Sequence, residues 1–290
     1  MLYIVNVSGG LTSYEALRRT VAKHGAESTR AVFADTTIED PDLYRFLDDI
    51  ERVTGISITR LADGRTPFDV WHDERMIKLK LPTGVEVVSC SKVLKRELID
   101  KWIASIQEPY TRVFGMNWDE AHRMDRLAKD LAPIPVWFPL AEKPYFDKCH
   151  IQAQLESVGV KVPALYIEGF DHNNCGGGCV KAGQAAWALL WRNHPDRYAI
   201  WEEREDRFLR EVNPNAQILR DRRGGESKPM SLKQFRGRLE RGETYDTTEW
   251  GGCGCFASTH NLRFDDLLAE SVPNKVLQRM GQAAKIEQDF

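Results

Sequence analysis

An α/β fold, a parallel sheet with helices on both faces, is what this sequence predicts, on three observations. Short apolar runs alternate with segments of helical period through residues 1–140, and alternation of this kind builds right-handed βαβ units. The first run, residues 2–7, passes straight into Ser8-Gly9-Gly10-Leu11-Thr12-Ser13. A strand, a glycine turn and a helix start together present backbone N–H groups to a phosphate. A second helix is punctuated at both ends, by Asp40-Pro41 and by Gly55.

The elements follow in order. Residues 12–23 read as a helix ending at His24-Gly25, and residues 30–34 as a strand that ends on Asp35. Asp40 caps the next helix, with Pro41 at the first position, where the missing N–H has no partner to lose. Leu43, Phe46, Leu47, Ile50 and Val53 then recur at helical spacing until Gly55 closes the element. Residues 57–61 read as a third strand, 92–106 as a helix, 111–116 as a strand, 118–131 as a helix and 136–140 as a last short strand. Ligands of such sheets bind at the carboxyl ends of the strands, and Ser8, Asp35 and Gly115 all fall there.

Beyond residue 180 the pattern changes. Residues 181–193 and 196–212 read as two consecutive helices, with Trp187, Leu190 and Trp191 as core at helical spacing, and residues 213–262 are rich in Gly, Arg and turn residues. The expected organisation is a nucleotide-binding α/β domain over residues 1–180, followed by a helical and irregular appendage over residues 181–290 that carries Cys253-Gly254-Cys255.

The formal charge of −3 gives no global attraction to nucleic acid or anionic membrane. No segment approaches the roughly 20 apolar residues needed to cross a bilayer. The first apolar run has no basic region ahead of it and is cut short by Ser8-Gly9-Gly10, unlike a secretory leader. A cytoplasmic enzyme is expected, with its six cysteines serving a metal or catalysis rather than disulfides. One stretch departs from the global balance. Arg220, Arg222, Arg223, Lys228, Lys233, Arg236, Arg238 and Arg241 crowd the span from Arg220 to Arg241, which reads either as a positive surface for nucleic-acid phosphates or as a solvated loop.

Within the phosphate loop, Gly9 and Gly10 let the backbone approach an anion and take φ values other residues avoid, while Ser8, Thr12 and Ser13 add hydroxyl donors. Thr12 with Glu15 also forms a Thr-x-x-Glu capping box. Asp35 is placed either for a ribose or a magnesium ion, or simply to start a turn. Lys92 and Lys95 read as phosphate contacts or as solvated helix residues. In Cys175-Gly176-Gly177-Gly178-Cys179 the glycines let the chain wrap a metal with its amides turned toward thiolate or sulfide. Cys253 and Cys255, in a second glycine-rich turn, bring the count to four thiolates, enough for tetrahedral zinc or an iron–sulfur cluster. The spacings do not choose the metal, and a redox dithiol is the alternative reading of the C-terminal pair. His172 stands three residues before Cys175 as a ligand, a proton donor or an ordinary surface residue, and Cys149 reads as a small buried apolar residue.

Several segments resemble one family in order. Ser-Gly-Gly-x-x-Ser after the first strand is similar to the PP-loop of ATP pyrophosphatases. Asp35-Thr36-Thr37, then Cys90-Ser91-Lys92-Val93-Leu94-Lys95, then Gly115-Met116-Asn117-Trp118-Asp119-Glu120 with Arg123, resemble segments of its phosphoadenosine phosphosulfate (PAPS) reductase branch. So does the run from Pro139-Leu140 through Leu165-Tyr166 and Gly169-Phe170 to Cys175, and the resemblance covers residues 1–185. It implies a Rossmann-like adenine nucleotide α-hydrolase fold that binds ATP and Mg²⁺ through Ser8, Gly9, Gly10, Thr12, Ser13, Asp35 and Gly115. The implied activity is adenylation of a substrate with pyrophosphate release, then displacement of AMP by a sulfur or nitrogen nucleophile. A nucleic-acid base or nucleoside is the favoured acceptor, and a sulfur-donor or redox protein the implied partner. The resemblance further implies that Cys90 joins Cys175 and Cys179 as ligands of a [4Fe-4S] cluster, with Zn²⁺ as the alternative. The fourth ligand would be Cys253 or Cys255, or the iron would stay open to hold sulfur.

Three positions depart from the pattern. Thr12 stands where carbonyl-activating pyrophosphatases have Asp, Asn117 where the reductases tend to have Arg, and Ser91 where adenylyl-sulfate reductases have a second Cys. Two alternatives therefore stay open. In one the protein reduces adenylylated sulfate, with Cys253 or Cys255 attacking sulfur and releasing sulfite. In the other it is a nucleotide-sensing subunit in which Thr12 leaves bound ATP unreactive.

Overall fold

Residues 1–81 and 86–252 are described in a computed structural model. β1 (Leu2–Asn6) runs into α1 (Leu11–His24), and β2 (Thr29–Asp35), α2 (Pro41–Thr54) and β3 (Ile58–Ala62) complete the first half of the sheet. Next come α3 (Pro67–Asp73) and an antiparallel pair, β4 (Lys78–Lys80) with β5 (Glu86–Val88). A broken helix follows, made of α4 (Ser89–Ser91), a π-helical turn (Lys92–Glu97) and α5 (Leu98–Ile103). β6 (Tyr110–Phe114), a 3₁₀ turn (Trp118–Glu120), α6 (Ala121–Leu131) and β7 (Val136–Trp137) close the sheet. The remainder comprises α7 (Lys148–Ser157), α8 (Ala164–Ile167), α9 (Gln184–Asn193), α10 (Pro195–Glu211), the hairpin β8 (Leu219–Asp221) and β9 (Lys228–Met230), and α11 (Leu232–Glu240).

The five strands β3-β2-β1-β6-β7 form one all-parallel sheet in that order, flanked by helices as the alternation predicted. Ile4, Val32 and Ala34 pack on Ile99 and Ile103 of α5. Their neighbours Val5, Ala31 and Phe33 pack on Leu17, Phe46 and Leu47 of α1 and α2. Strands buried on both faces read as near-continuous apolar runs, which is why they were legible. The chain steps from β1 to β2 and β3 on one side, then returns to β6 and β7 on the other. The strand order thus reverses between β1 and β6, and the crevice at the carboxyl ends there is where open α/β sheets take ligands.

α2 is capped as expected, Asp40 accepting the Asp42 N–H at 2.9 Å ahead of Pro41, and Gly55 ending it in the left-handed region. Two expected elements are altered. The helix over 92–106 is interrupted by its π turn, and the strand over 136–140 stops at Trp137 because Pro139 opens a 3₁₀ turn; a proline has no N–H to give a sheet ladder.

A second apolar core gathers Trp71, Trp187, Tyr198, Trp201, Phe208 and Phe235 with Leu165, Phe170 and Cys175. Trp187 meets Trp201 edge to face at 5.4 Å between ring centroids. The expected core residues Trp187 and Leu190 are fully buried here, with Trp191 packed against them. This cluster draws on residues from both sides of position 180. Residues 213–252, expected to be irregular, contain β8, β9 and α11, the last opened by a Ser231/Gln234 capping box. Glu205 on α10 is 1% exposed and accepts the N–H groups of Ile218 at 2.7 Å and Leu232 at 2.5 Å, tying the hairpin and α11 to α10. Among the described residues no helix is long and apolar enough to cross a membrane.

Candidate functional site

β1 stops at Asn6, and the loop of residues 8–13 folds around the Ser13 hydroxyl. That hydroxyl donates to the Gly10 carbonyl at 2.8 Å and accepts the Ser8 N–H at 3.1 Å. Gly9 has φ +78°, and a Cβ there would lie 2.7 Å from Leu43 Cγ on α2, so glycine alone fits the turn. Gly10, by contrast, is in ordinary extended backbone with φ −100°. Its requirement is space, since an added Cβ would stand 3.1 Å from the Tyr166 hydroxyl. Asn173 fastens the loop from outside, its Nδ2 donating to the Gly9 carbonyl at 2.8 Å.

The expected capping box is corrected. Gly10 is the N-cap of α1, no side chain caps the helix, and Thr12 lies inside its first turn. Glu15 is instead buried and held by Arg18 and Arg19, each at 2.7 Å. Helix geometry leaves first-turn amides without an intrahelical acceptor, and here the Leu11 N–H points at the Tyr166 hydroxyl at 3.4 Å. Gly115, just past β6, packs directly on this turn. A Cβ on it would lie 2.5 Å from the Thr12 carbonyl oxygen and 2.8 Å from the Ser13 nitrogen, both backbone atoms.

A cavity of about 420 Å³ opens over these strand ends, within the size range of small-ligand sites. Ser8, Gly10, Thr12, Ser13 and Gly115 line it, with Lys95, Arg123 and Lys148 as its basic groups. The acidic groups Asp119, Glu120 and Asp171 line it too. Arg123 pairs with Glu120, Lys148 with Asp171, and Lys95 lies 3.5 Å from the buried Glu39. Three expected contacts are not among its lining residues: Gly9, which forms the turn behind it, Lys92 and Asp35. Lys92 pairs with Glu97, and Asp35 is taken up locally, accepting the Thr37 N–H at 2.7 Å and the Tyr44 hydroxyl at 2.9 and 3.0 Å. The Thr37 contact is the turn that the sequence offered as one of its two readings. Burial, and then the Asp35 carboxylate, raise the Tyr44 hydroxyl above the ordinary tyrosine value.

The hairpin from Cys175 to Cys179 does not turn its amides inward on a metal. The Cys175 N–H goes to the Glu39 carboxylate, the Gly177 N–H to the Asn174 carbonyl at 3.1 Å and the Gly178 N–H to the Cys175 carbonyl at 3.0 Å. The Lys181 N–H does reach Cys179 Sγ, at 3.5 Å. Cys175 and Cys179 are in hydrogen-bond contact, which together with burial and the Glu39 charge raises the Cys175 thiol well above its ordinary value. Cys179 lines a small slot of about 30 Å³ that shares Asp171, His172, Asn174 and Gly252 with the main cavity. His172 Nε2 lies 3.3 Å from Asp171 Oδ2.

Cys90 packs against Val70, Val93 and Leu94 and against the second core. Among the described residues no three His, Cys, Asp or Glu side chains converge as a group that could hold a metal ion. Cys253 and Cys255 lie outside the described residues. Cys149, expected to be buried, is exposed on α7. Native alkylation with iodoacetamide is therefore expected to modify Cys149 at least about tenfold faster than the buried, protonated Cys175. Peptide mass spectrometry over a time course measures both rates, and equal rates would contradict this assignment.

The basic stretch carries its own counter-charges. Arg222 pairs with Glu249, Arg223 with Asp221 and Glu243, Lys228 with Glu226, Arg236 with Glu202 and Glu240, Arg238 with Asp221, and Arg241 with Glu243. Sequence reasoning did not find Asn6, Asn173 and Tyr166 as parts of the site, because single polar or aromatic residues carry no spacing signal. The sequence matches no protein-family model, and no curated protein is similar to it at a significant level.

Proposed function

We propose that this protein is an ATP-dependent enzyme of the PP-loop type that adenylates its substrate. A substrate oxygen attacks the α-phosphorus, the bond from that phosphorus to the bridging oxygen breaks, and pyrophosphate leaves. A sulfur or nitrogen nucleophile then displaces AMP from the activated carbon. The observation that carries this reading is the position of the cavity. It sits at the reversal of strand order and is rimmed by a glycine loop that ends in an uncapped helix start. The phosphates would take the amides of the loop and first helical turn, where charge developing on the leaving pyrophosphate meets fixed dipoles. Magnesium usually rides on nucleotide phosphates with one or two protein carboxylates, and Asp119 is one that lines this cavity. The cysteines enter as a thiol pair beside the cavity, and no step is assigned to a cluster.

The test is Mg·ATP binding by calorimetry, followed by pyrophosphate release with nucleoside and nucleic-acid fractions. ATP is expected to bind, and Ser13→Ala to weaken it about tenfold by releasing the Ser8 N–H that shapes the loop. Absence of both binding and pyrophosphate release would refute the reading. Tight binding without turnover on any fraction would refute the enzyme and favour a nucleotide sensor, as Thr12 in place of Asp would permit.

A further inference from the structure

Asn6 ends β1 beneath the phosphate loop, beside Val32 of β2 and Phe114 of β6. The residue lines the main cavity and is 5% exposed. Neither its Oδ1 nor its Nδ2 has a hydrogen-bond partner within the protein. Buried carboxamides are almost always met at both ends, because leaving them unmet is costly. An orphan of this kind in a cavity wall marks a ligand contact. The apolar residues Ala34, Ile99, Phe114 and Met116 line the same cavity. A carboxamide carries no charge to offer a phosphate, but it sets one donor beside one acceptor. Those apolar groups beside the carboxamide suit a flat heteroaromatic ring whose rim shows the complementary pair.

Adenine shows such a pair, its 6-amino group next to a ring nitrogen, and asparagine matches that edge with two hydrogen bonds. Resting on the ATP reading above, we propose that Asn6 recognises the 6-amino edge of the adenine base and so selects the nucleotide, while the loop of residues 8–13 holds the phosphates. The cost of the unmet carboxamide in the free protein is then recovered on binding.

The experiment pairs a protein change with a ligand change. Binding of ATP and of purine riboside triphosphate, which lacks the 6-amino group, is measured for the parent and for Asn6→Ala. Removing the amino group is expected to weaken binding to the parent about tenfold or more, and to Asn6→Ala by less than about twofold. Asn6→Leu, which replaces the unmet amide with an apolar group of similar size, is expected to raise the melting temperature of the ligand-free protein while lowering ATP affinity. A carboxamide that served only the fold would lower it. An equal penalty for the missing amino group in parent and Asn6→Ala overturns the assignment, as does a parent that binds both triphosphates alike. A parent that binds no ATP overturns the nucleotide reading itself.

Discussion

Gly115→Ala is expected to abolish detectable ATP binding and to cost about 3 kcal/mol of stability, at the upper end of overpacking penalties. A Cβ at this position meets the Thr12 carbonyl oxygen at 2.5 Å and the Ser13 nitrogen at 2.8 Å. Neither atom belongs to a flexible side chain that can swing away. The clash is relieved only by separating the end of β6 from the first turn of α1, which pulls apart the rim of the cavity. Gly237→Ala in α11 is the matched control. It meets only the tip of Arg241, and alanine in a helix interior is expected to add up to about 1 kcal/mol. Chemical denaturation and calorimetric titration of both variants decide the matter. Gly115→Ala retaining parental affinity would show that the strand and helix are not in rigid contact.

Replacing Glu205 is expected to remove a pH dependence that runs opposite to ordinary acid denaturation. Burial pushes its carboxyl up to about 7 from 4.5, against the lowering effect of the two backbone N–H groups and of Lys78. The folded state thus holds this proton more tightly than the unfolded chain does. Its contribution is full below about pH 4.5 and is lost as pH rises through 7. The difference corresponds to about 3 kcal/mol across that window. Urea midpoints for the parent and Glu205→Gln, measured from pH 5 to pH 8, give the difference. The parent is expected to lose stability relative to the variant as pH rises, and parallel curves would sink the assignment. Because Glu205 ties α10 to the β8–β9 hairpin and to α11, that region should open first in hydrogen exchange at the alkaline end.

Burial on both faces made the central strands legible as apolar runs, and punctuation at Asp40-Pro41 and Gly55 fixed α2. The three-residue strands of the two small hairpins were not legible, since a period of two needs more than three residues to appear. The same limit applied at the site. Ser8, Gly9, Gly10, Ser13 and Gly115 could be named from a linear pattern, because a strand end followed by glycines has local meaning. Thr12 was named with them, but its capping role depended on where the helix began, and that was set by Gly10. Asp35 could be named as a strand-end acid from the sequence, whereas its contact with the Tyr44 hydroxyl, nine residues on in α2, was set by the packing of α2 on the sheet.

By itself the sequence determined the parallel α/β class, the place of the glycine loop at the head of α1, and the core role of Trp187 and Leu190. These follow from local backbone geometry and from the period of apolar residues, which act over a few positions. Tertiary structure alone decided the rest. It set Gly115 against Thr12, left the Asn6 carboxamide without a partner within the protein, paired most arginines of the basic stretch with carboxylates, and packed Cys90 among Val70, Val93 and Leu94. Those outcomes depend on distances between residues far apart in the chain, where close packing and the burial of polar groups, rather than local propensity, fix what each side chain meets.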